Sequence, residues 1–287
     1  MKNEFIKHHA TRSIVREVIP LSYSTLIPMA EQALLRINDF VNCNPIYVES
    51  EDIHVFDIPC RAYLGDINDY WLDTKKYDAN YQPFYPTWML SAYALALEAK
   101  LLGFKDIVDI GSGDGRIAYC GKLLGLRSVG IEIDSKLTSL QHEISALTDV
   151  EYEIHQGDAT KFAYDSLHLS RPMFFISGLP EWGDMLASFA IPRIMEISEL
   201  RECAGFNFMG SHIMKKYSRD KTGWGWGKII EMYDLKIKKC ITLPTCWTND
   251  QKIDTAYVFT NHSMNGYGAA YFFSCDICYR CVGECLV

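Results

Sequence analysis

The chain lacks any long uninterrupted apolar segment. It has 287 residues, of which 48% are hydrophobic, but "SAYALALEAKLLGF" contains Glu98 and Lys100, and "PMFFISGLP" is short. A membrane-spanning helix needs about 20 consecutive, mostly apolar residues. The first residues, "MKNEFIKHHATRSIVREV", are charged throughout and lack the apolar segment of a secretion signal. We therefore expect a globular protein of the cytoplasm that has no membrane partner.

Positive charge is also scarce. Lys and Arg number 28 against 36 Asp and Glu, which gives a formal net charge of -8. Proteins that bind nucleic acid depend largely on Lys and Arg to release counterions from phosphates. A short basic run, "KIKK" at residues 236–239, is interpreted as the solvated edge of a strand. Nucleic acid is therefore not the expected partner, and the oligomeric state is left open.

Cysteine, in contrast, is plentiful. Six of the ten cysteines are scattered and are interpreted as free thiols in a reducing compartment. The other four are Cys275, Cys278, Cys281 and Cys285, in the tail "CDICYRCVGEC". This spacing could hold zinc, or an iron–sulfur cluster as in bacterial ferredoxins, but Leu286 stands where ferredoxins have proline and there is no second set. We favour unligated or oxidised thiols over a metal site.

The pattern of apolar residues divides the chain into three parts. Residues 1–80 are predicted to form an N-terminal extension of helices and a small hairpin. Helical spacing covers residues 11–42, interrupted around Pro20, and the strands "IYVES" and "IHVFDIPCRAYLG" follow, with a turn at "GDIND". In residues 81–262 strands and helices alternate, which predicts an α/β fold with a doubly wound, mostly parallel sheet. After four such strands, "GFNFMGSHI" is predicted to be a fifth strand. The segments "DLKIKKCITL" and "DTAYVFTN" are predicted to form an antiparallel pair at the end of the sheet. Residues 263–287 are the cysteine-rich tail.

The segment "VDIGSGDGRIA" carries three glycines between a predicted strand and a predicted helix. Gly111, Gly113 and Gly115 let the chain turn sharply while a ligand comes close to bare backbone. Glu132 follows 21 residues after Gly111, at the end of the next strand, where a carboxylate can accept hydrogen bonds from ribose hydroxyls. Dinucleotide enzymes use G-x-G-x-x-G, which would require glycine where this chain has Arg116.

Taken together, "VDIGSGDGR", "GIEID" and "HQGDAT" resemble the cofactor motifs of class I S-adenosylmethionine-dependent methyltransferases. The resemblance implies a seven-stranded sheet with an antiparallel last strand, S-adenosyl-L-methionine as cofactor and S-adenosyl-L-homocysteine as product. The cofactor residues implied by these motifs are Asp109, Gly111, Ser112, Gly113, Asp114, Gly115, Glu132, Ile133, Asp158 and Ala159. Asp158 is expected near the adenine amine. For Asp109, a purely structural role at the strand end stays open.

Residues 81–212 are similar, more closely, to the archaeal and mitochondrial class I protein-lysine methyltransferases. The likeness rests on "YQPFYPTWML", the glycine loop, "GIEID" and "GLPE". This chain departs from that pattern: Phe84 stands in place of the upstream tyrosine, Trp88 in place of the second proline, and Ser177 with Gly178 in place of a tyrosine and a leucine. A protein lysine is therefore one candidate acceptor beside a small molecule, and a cofactor-binding module without transfer activity is the alternative to an enzyme.

This second resemblance implies further site residues. Tyr85 and Thr87 would lie over the methionine end of the cofactor, with Ser177 nearby; alternatively, Thr87 caps a helix and Tyr85 is a core aromatic. An apolar pocket would lower the pKa of an amine acceptor by desolvation, so that it arrives neutral. The pocket candidates are Tyr81, Leu179, Pro180 and Trp182, for which core packing is the alternative. The sequence identifies no general base.

Overall fold

The computed structural model describes residues 14–66, 84, 86–176, 180–209, 226–244 and 254–262. The N-terminal elements are β1 (Ile14–Pro20), α1 (Glu31–Cys43), β2 (Tyr47–Val55) and β3 (Ile58–Asp66). Then come α2 (Met89–Leu101), β4 (Asp106–Ile110), α3 (Arg116–Leu123), β5 (Arg127–Glu132), α4 (Ser135–Thr148), β6 (Glu153–Gln156), a 3-10 turn (Tyr164–Leu167) and β7 (Pro172–Ile176). The remaining elements are α5 (Pro180–Glu196), α6 (Ser198–Arg201), β8 (Gly205–Met209), α7 (Trp226–Met232), β9 (Leu235–Pro244) and β10 (Asp254–His262). None of the helices in these ranges combines the length and apolar content that crossing a bilayer requires.

The central sheet has seven strands in the order β6-β5-β4-β7-β8-β10-β9. The five strands from β4 to β8 pair in parallel. The last strand, β10, lies between β8 and β9 and is antiparallel to both. The predicted fold class, a doubly wound, mostly parallel seven-stranded sheet, is therefore confirmed.

Strand β4 is buried along its whole length, as a central strand covered on both faces must be. Ile107 packs into the hydrophobic cluster on one face, while Val108 and Ile110 pack into the cluster on the other. The carboxyl end of this strand leads directly into the glycine loop. The loop is thus held at the centre of the sheet.

The prediction of a helix over residues 11–42 is wrong in its first half. Residues 14–20 form β1, which pairs antiparallel with β3, and the helix begins only at Glu31. The segment "IVREVIP" is rich in β-branched residues, which favour extended backbone, and Pro20 would remove a hydrogen bond from a continuous helix. Val15 and Val18 have a spacing that fits a helical stripe equally well, so the sequence pattern was ambiguous.

The predicted hairpin in the N-terminal extension is present, but its turn lies elsewhere. Phe56 and Asp57 connect β2 to β3 with left-handed φ values of 50° and 62°. This is the backbone of a two-residue hairpin turn. "IHVFDIPCRAYLG" is therefore two strands, and Gly65 and Asp66 of "GDIND" belong to β3. Phenylalanine is rare in such turns, so no turn signal is visible in the sequence at this point.

The N-terminal elements share one hydrophobic cluster with the central sheet. The ring of Phe40 on α1 contacts the ring of Tyr119 on α3, with 4.8 Å between centroids. The Tyr119 hydroxyl donates to the carbonyl of Arg36 at 2.8 Å. The predicted domain boundary near residue 80 and the cysteine-rich tail lie outside the described residues and stay predictions.

Candidate functional site

The three predicted cofactor motifs meet at the carboxyl edge of β4, β5 and β6. The amide of Gly111 donates to the carbonyl of Ile131 at 2.9 Å. The amide of Gly157 donates to the carbonyl of Glu132 at 2.8 Å. Adjacent parallel strands end at the same edge of a sheet, and ligands of open α/β sheets bind there. This edge is the candidate functional site.

The three loop glycines have left-handed φ values but different surroundings. These values are 71° for Gly111, 58° for Gly113 and 82° for Gly115. A Cβ on Gly113 would lie 2.5 Å from the ring of Phe84, and one on Gly115 would collide with the Tyr152 hydroxyl. A Cβ on Gly111 would meet nothing within 4 Å. Packing therefore requires two of the glycines, and the open space for a ligand lies at Gly111.

Glu132 is fixed against the glycine loop by backbone amides. Its Oε2 accepts from the amide of Gly113 at 2.8 Å, and its Oε1 accepts from Ile133 at 2.8 Å and from Asp134 at 3.0 Å. The residue is only 3% exposed. The carboxylate therefore connects the end of β5 to the loop that follows β4. Ile133 contributes its backbone amide to this arrangement.

Asp109 is buried next to other carboxyl groups. It is 2% exposed, and its Oδ1 has no hydrogen-bond partner among the described residues. Burial, and then the nearby carboxylates of Glu132 and Asp114, raise its pKa well above the usual value. A carboxyl group in such surroundings would be stabilised in its charged form by a cation. The arrangement fits a positively charged ligand.

Ser112 and the Gly113 carbonyl are held by a glutamine that sequence reasoning missed. Gln141 on α4 donates to Ser112 Oγ at 2.9 Å and to the Gly113 carbonyl at 2.8 Å. Gln141 is fully buried, in the same helical stripe as Leu137 and Ile144. A polar residue inside an apolar stripe was the available signal, because a buried amide needs partners.

Asp114 faces the N-terminal segment, where it pairs with Arg116. The Nε of Arg116 donates to Asp114 Oδ1 at 2.9 Å, and the Nδ2 of Asn44 donates to Asp114 Oδ2 at 3.0 Å. The Nη1 of Arg116 donates to Glu17 Oε1 at 2.7 Å and also to the carbonyl of Thr87. We call Glu17, Asn44, Tyr47, Asp114 and Arg116 the buried ionic cluster. A cofactor contact for Asp114 stays a prediction.

Glu17 caps helix α2 from a distant strand. Its Oε2 accepts from the amide of Met89 at 2.9 Å, and its Oε1 accepts from the Tyr47 hydroxyl at 3.0 Å. Burial raises the pKa of Glu17 to about 7, against the opposing effect of Arg116. The N-cap position of α2 is Trp88 and not Thr87, and the Trp88 side chain makes no capping hydrogen bond. The alternative that Thr87 caps this helix is therefore wrong.

Asp158 lies in the turn after β6. Its Oδ1 accepts from the amide of Thr160 at 2.9 Å and from the Thr160 hydroxyl at 2.6 Å, and its Oδ2 lies 3.0 Å from Lys161 Nζ. Burial acts to raise the pKa of Asp158, but the contacts with Thr160 and Lys161 outweigh it and lower the pKa below its usual value. The carbonyl of the adjacent Ala159 accepts from the Tyr164 hydroxyl at 2.8 Å.

Several predicted site residues lie outside the described residues: Tyr81, Tyr85, Ser177, Leu179, Cys275, Cys278, Cys281 and Cys285. Pro180 and Trp182 lie in the first turn of α5, but their side chains are outside the described part. Within the described ranges, no group of three or more His, Cys, Asp or Glu residues could hold a metal ion.

No protein-family model and no curated protein matches the chain. Among solved structures, it is similar to a candidate RNA methyltransferase from Pyrococcus horikoshii, at 13% identity and a TM-score of 0.49 over 68% of this chain and 98% of that chain. It is also similar to the Pyrococcus abyssi tRNA (uracil-54, C5)-methyltransferase in complex with S-adenosyl-L-homocysteine, at 12% identity and a TM-score of 0.44 over 62% of this chain and 39% of that one. A third is the ribosomal protein L11 methylase from Lactobacillus delbrueckii subsp. bulgaricus, at 13% identity and a TM-score of 0.41 over 61% of this chain and 79% of that chain. At these identities the structures assign neither an acceptor nor a residue role to this chain.

Proposed function

We propose that the protein is an S-adenosylmethionine-dependent methyltransferase. The observation that carries the proposal is the open space at Gly111, beside the fixed carboxylate of Glu132, at the carboxyl edge of the sheet. The insertion of an antiparallel last strand into the sheet, which the family resemblance implied, supports it.

The residues at this edge suit the charge of the cofactor. S-adenosylmethionine carries a sulfonium and an ammonium group, and the site offers carboxyl groups on Asp109 and Glu132. In this proposal Glu132 binds the ribose hydroxyls, Asp158 binds the adenine amine, and Asp109 stabilises the positive end. When bound, the cofactor supplies a methyl group that passes to a nucleophile by in-line displacement. The protein then has to align the acceptor and exclude water.

The surroundings of Arg116 argue against a dinucleotide enzyme. In the dinucleotide fingerprint, the third glycine lets the helix pack closely against the strand. Here the corresponding side chain is a guanidinium, 2% exposed and bonded within the buried ionic cluster. The helix after the loop is therefore attached to the N-terminal segment by a long side chain.

For the acceptor, we propose an amine, with a protein lysine ahead of a small molecule. Support comes from Phe84 of the upstream segment, because its ring packs against Gly113 in the cofactor loop. In this proposal Tyr85, Thr87 and Ser177 close the site over the cofactor. The pocket for the acceptor is then formed by Tyr81, Leu179, Pro180 and Trp182.

Calorimetric titration of the folded protein with S-adenosylmethionine, S-adenosylhomocysteine and NAD tests the cofactor. We expect saturable heat with the first two and none with NAD; no heat with either S-adenosyl compound would refute the proposal. Incubation with methyl-labelled cofactor and cell extract then tests the acceptor. A labelled protein band that yields methyl-lysine on hydrolysis supports a protein lysine, and label confined to small molecules supports the alternative acceptor. Tight binding with no transfer would indicate a cofactor-binding module.

A further inference from the structure

A buried ion pair joins the N-terminal three-stranded sheet to the helix that follows the cofactor loop. Glu17 on β1 and Arg116 on α3 are 99 positions apart in sequence, and their charged atoms lie 2.7 Å apart. Both side chains are 3% exposed. A buried charge is tolerated only with close partners, so neither side chain can move without the other.

Arg116 connects three parts of the chain through one planar group. Its guanidinium donates to Asp114 in the glycine loop, to Glu17 on β1, and to the carbonyl of Thr87 ahead of α2. The donors of a guanidinium have fixed directions, so their acceptors are fixed relative to one another. The position of the loop is therefore set by the N-terminal sheet as well as by Glu132 and Gln141.

Asp114 is the residue through which this arrangement reaches the glycine loop. It lies between Gly113 and Gly115, both in left-handed conformations. Glu132 fixes the amide of Gly113 on one side, and Arg116 fixes the carboxylate of Asp114 on the other. Glu132 and Gln141 thus anchor the loop from the elements that follow it, and Arg116 anchors it on the N-terminal side, so that loss of the Arg116 contacts leaves the left-handed turn less restrained.

We propose that Glu17 and Tyr47 are positioning residues for the cofactor loop, and that they act through Arg116 and Asp114. The inference rests on the proposed function, because it concerns the affinity of the same loop for its cofactor. Tyr47 belongs with Glu17 because its hydroxyl donates to Glu17 Oε1 at 3.0 Å and lies 3.4 Å from Arg116 Nη2. The N-terminal sheet is then part of the cofactor site.

Two matched tyrosines provide the test. Tyr47 and Tyr63 have ring centroids 6.2 Å apart, but the Tyr63 hydroxyl donates to Asn38, inside the N-terminal segment, at 2.8 Å. Tyr47→Phe and Tyr63→Phe each remove one hydroxyl from neighbouring positions. The measurement is the dissociation constant for S-adenosylhomocysteine by calorimetry, with the melting temperature by circular dichroism as the measure of folding.

We expect Tyr47→Phe to weaken binding about threefold and Glu17→Gln about tenfold, the size of one lost buried hydrogen bond to a charged group. The dissociation constant of Tyr63→Phe should stay within about twofold of that of the unmodified protein, even if its melting temperature falls as far as that of Tyr47→Phe. Equal affinity losses in the two tyrosine variants, or unchanged affinity in Tyr47→Phe, would overturn the inference. If Glu17→Gln fails to fold, the tyrosine pair decides alone. Absence of binding by the unmodified protein would instead refute the proposed function.

Discussion

The carboxylate of Glu17 accepts a hydrogen bond from the amide of Met89 at 2.9 Å, across 72 positions of sequence. The amides of a first helical turn have no partners within the helix, and a negative charge there also interacts favourably with the helix dipole. Glu17 provides a hydrogen-bond acceptor and a negative charge at the start of α2, and its other oxygen accepts from Arg116. One side chain therefore stabilises a helix end and the anchor of the glycine loop.

This shared carboxylate predicts an unusual pH dependence of stability. Burial raises the pKa of Glu17 to about 7 in the folded protein, above the ordinary value of 4.5. A raised folded pKa gives a stabilising contribution that is present below about pH 4.5 and is lost as the pH rises through about 7. The free energy of unfolding of the unmodified protein should therefore fall relative to that of Glu17→Gln between about pH 4.5 and 7, by at most about 1.4 kcal/mol per pH unit.

Urea unfolding of both proteins at several pH values measures this difference. Glu153→Gln is the control: Glu153 is half-exposed, and the Arg127 side chain lowers its pKa, so its contribution should not change above about pH 5. If the free energy of unfolding of the unmodified protein instead rises with pH relative to that of Glu17→Gln, Glu17 is stabilised as a carboxylate.

Gly111→Ala should separate ligand binding from stability. Gly111 and Gly125 have φ values of 71° and 77°, and a Cβ on either would meet nothing within 4 Å. Alanine at either position should therefore cost about 1 to 2 kcal/mol of stability for its left-handed backbone. Only Gly111 lies at the carboxyl edge of the sheet; Gly125 lies between α3 and β5.

We expect Gly111→Ala to weaken binding of S-adenosylhomocysteine at least about tenfold, since a methyl group would occupy the ligand space, and Gly125→Ala to leave it unchanged. Calorimetry and urea unfolding on both variants supply the two measurements. Unchanged affinity in Gly111→Ala would place the ligand elsewhere.

Glu132→Ala should affect both stability and binding. The substitution leaves the amides of Gly113, Ile133 and Asp134 without their acceptor. Because each unsatisfied buried donor costs about 1 to 3 kcal/mol, the free energy of unfolding should fall by at least about 3 kcal/mol. Binding of S-adenosylhomocysteine should fall below detection. Glu153→Ala on the neighbouring strand removes only a half-exposed ion pair and should change stability by less than about 1 kcal/mol. Retained affinity in Glu132→Ala would exclude the proposed ribose contact.

The tail cysteines give a prediction that needs no variant. We expect elemental analysis of the purified protein to show zinc and iron contents close to zero per chain, because unligated thiols are favoured for Cys275, Cys278, Cys281 and Cys285. One metal equivalent per chain, lost on changing these cysteines to serine, would contradict this.

The central sheet was predictable because its signals are local. Each strand-to-helix alternation is visible within about 30 residues, and the glycines of the loop stand next to the strand that they terminate. The order of the motifs along the chain then placed Gly111, Glu132 and Asp158 at one edge, where the structure has them.

The N-terminal segment was less predictable because its structure depends on distant partners. Strand β1 is defined by pairing with β3, for example Val18 with Ala62, and nothing near residue 18 shows that partner. The same holds for the buried ionic cluster. Glu17 and Asn44 carry no motif, and neither does Gln141 outside the cluster; each is recognised only once its partner in the glycine loop or on α3 is in place. A charge inside the apolar segment "IVREVIP" was the one local indication for Glu17.

The position of β10 has a consequence for synthesis of the chain. β8 and β9 are made before β10, yet in the sheet they are separated by it. While the ribosome is still adding the residues between Pro244 and Asp254, β8 has β7 on one side and an unpaired edge on the other. Such an edge can pair with another nascent chain. The edge of β8 is covered only after β10 has emerged, so premature termination before Asp254 should yield aggregates rather than a smaller soluble protein.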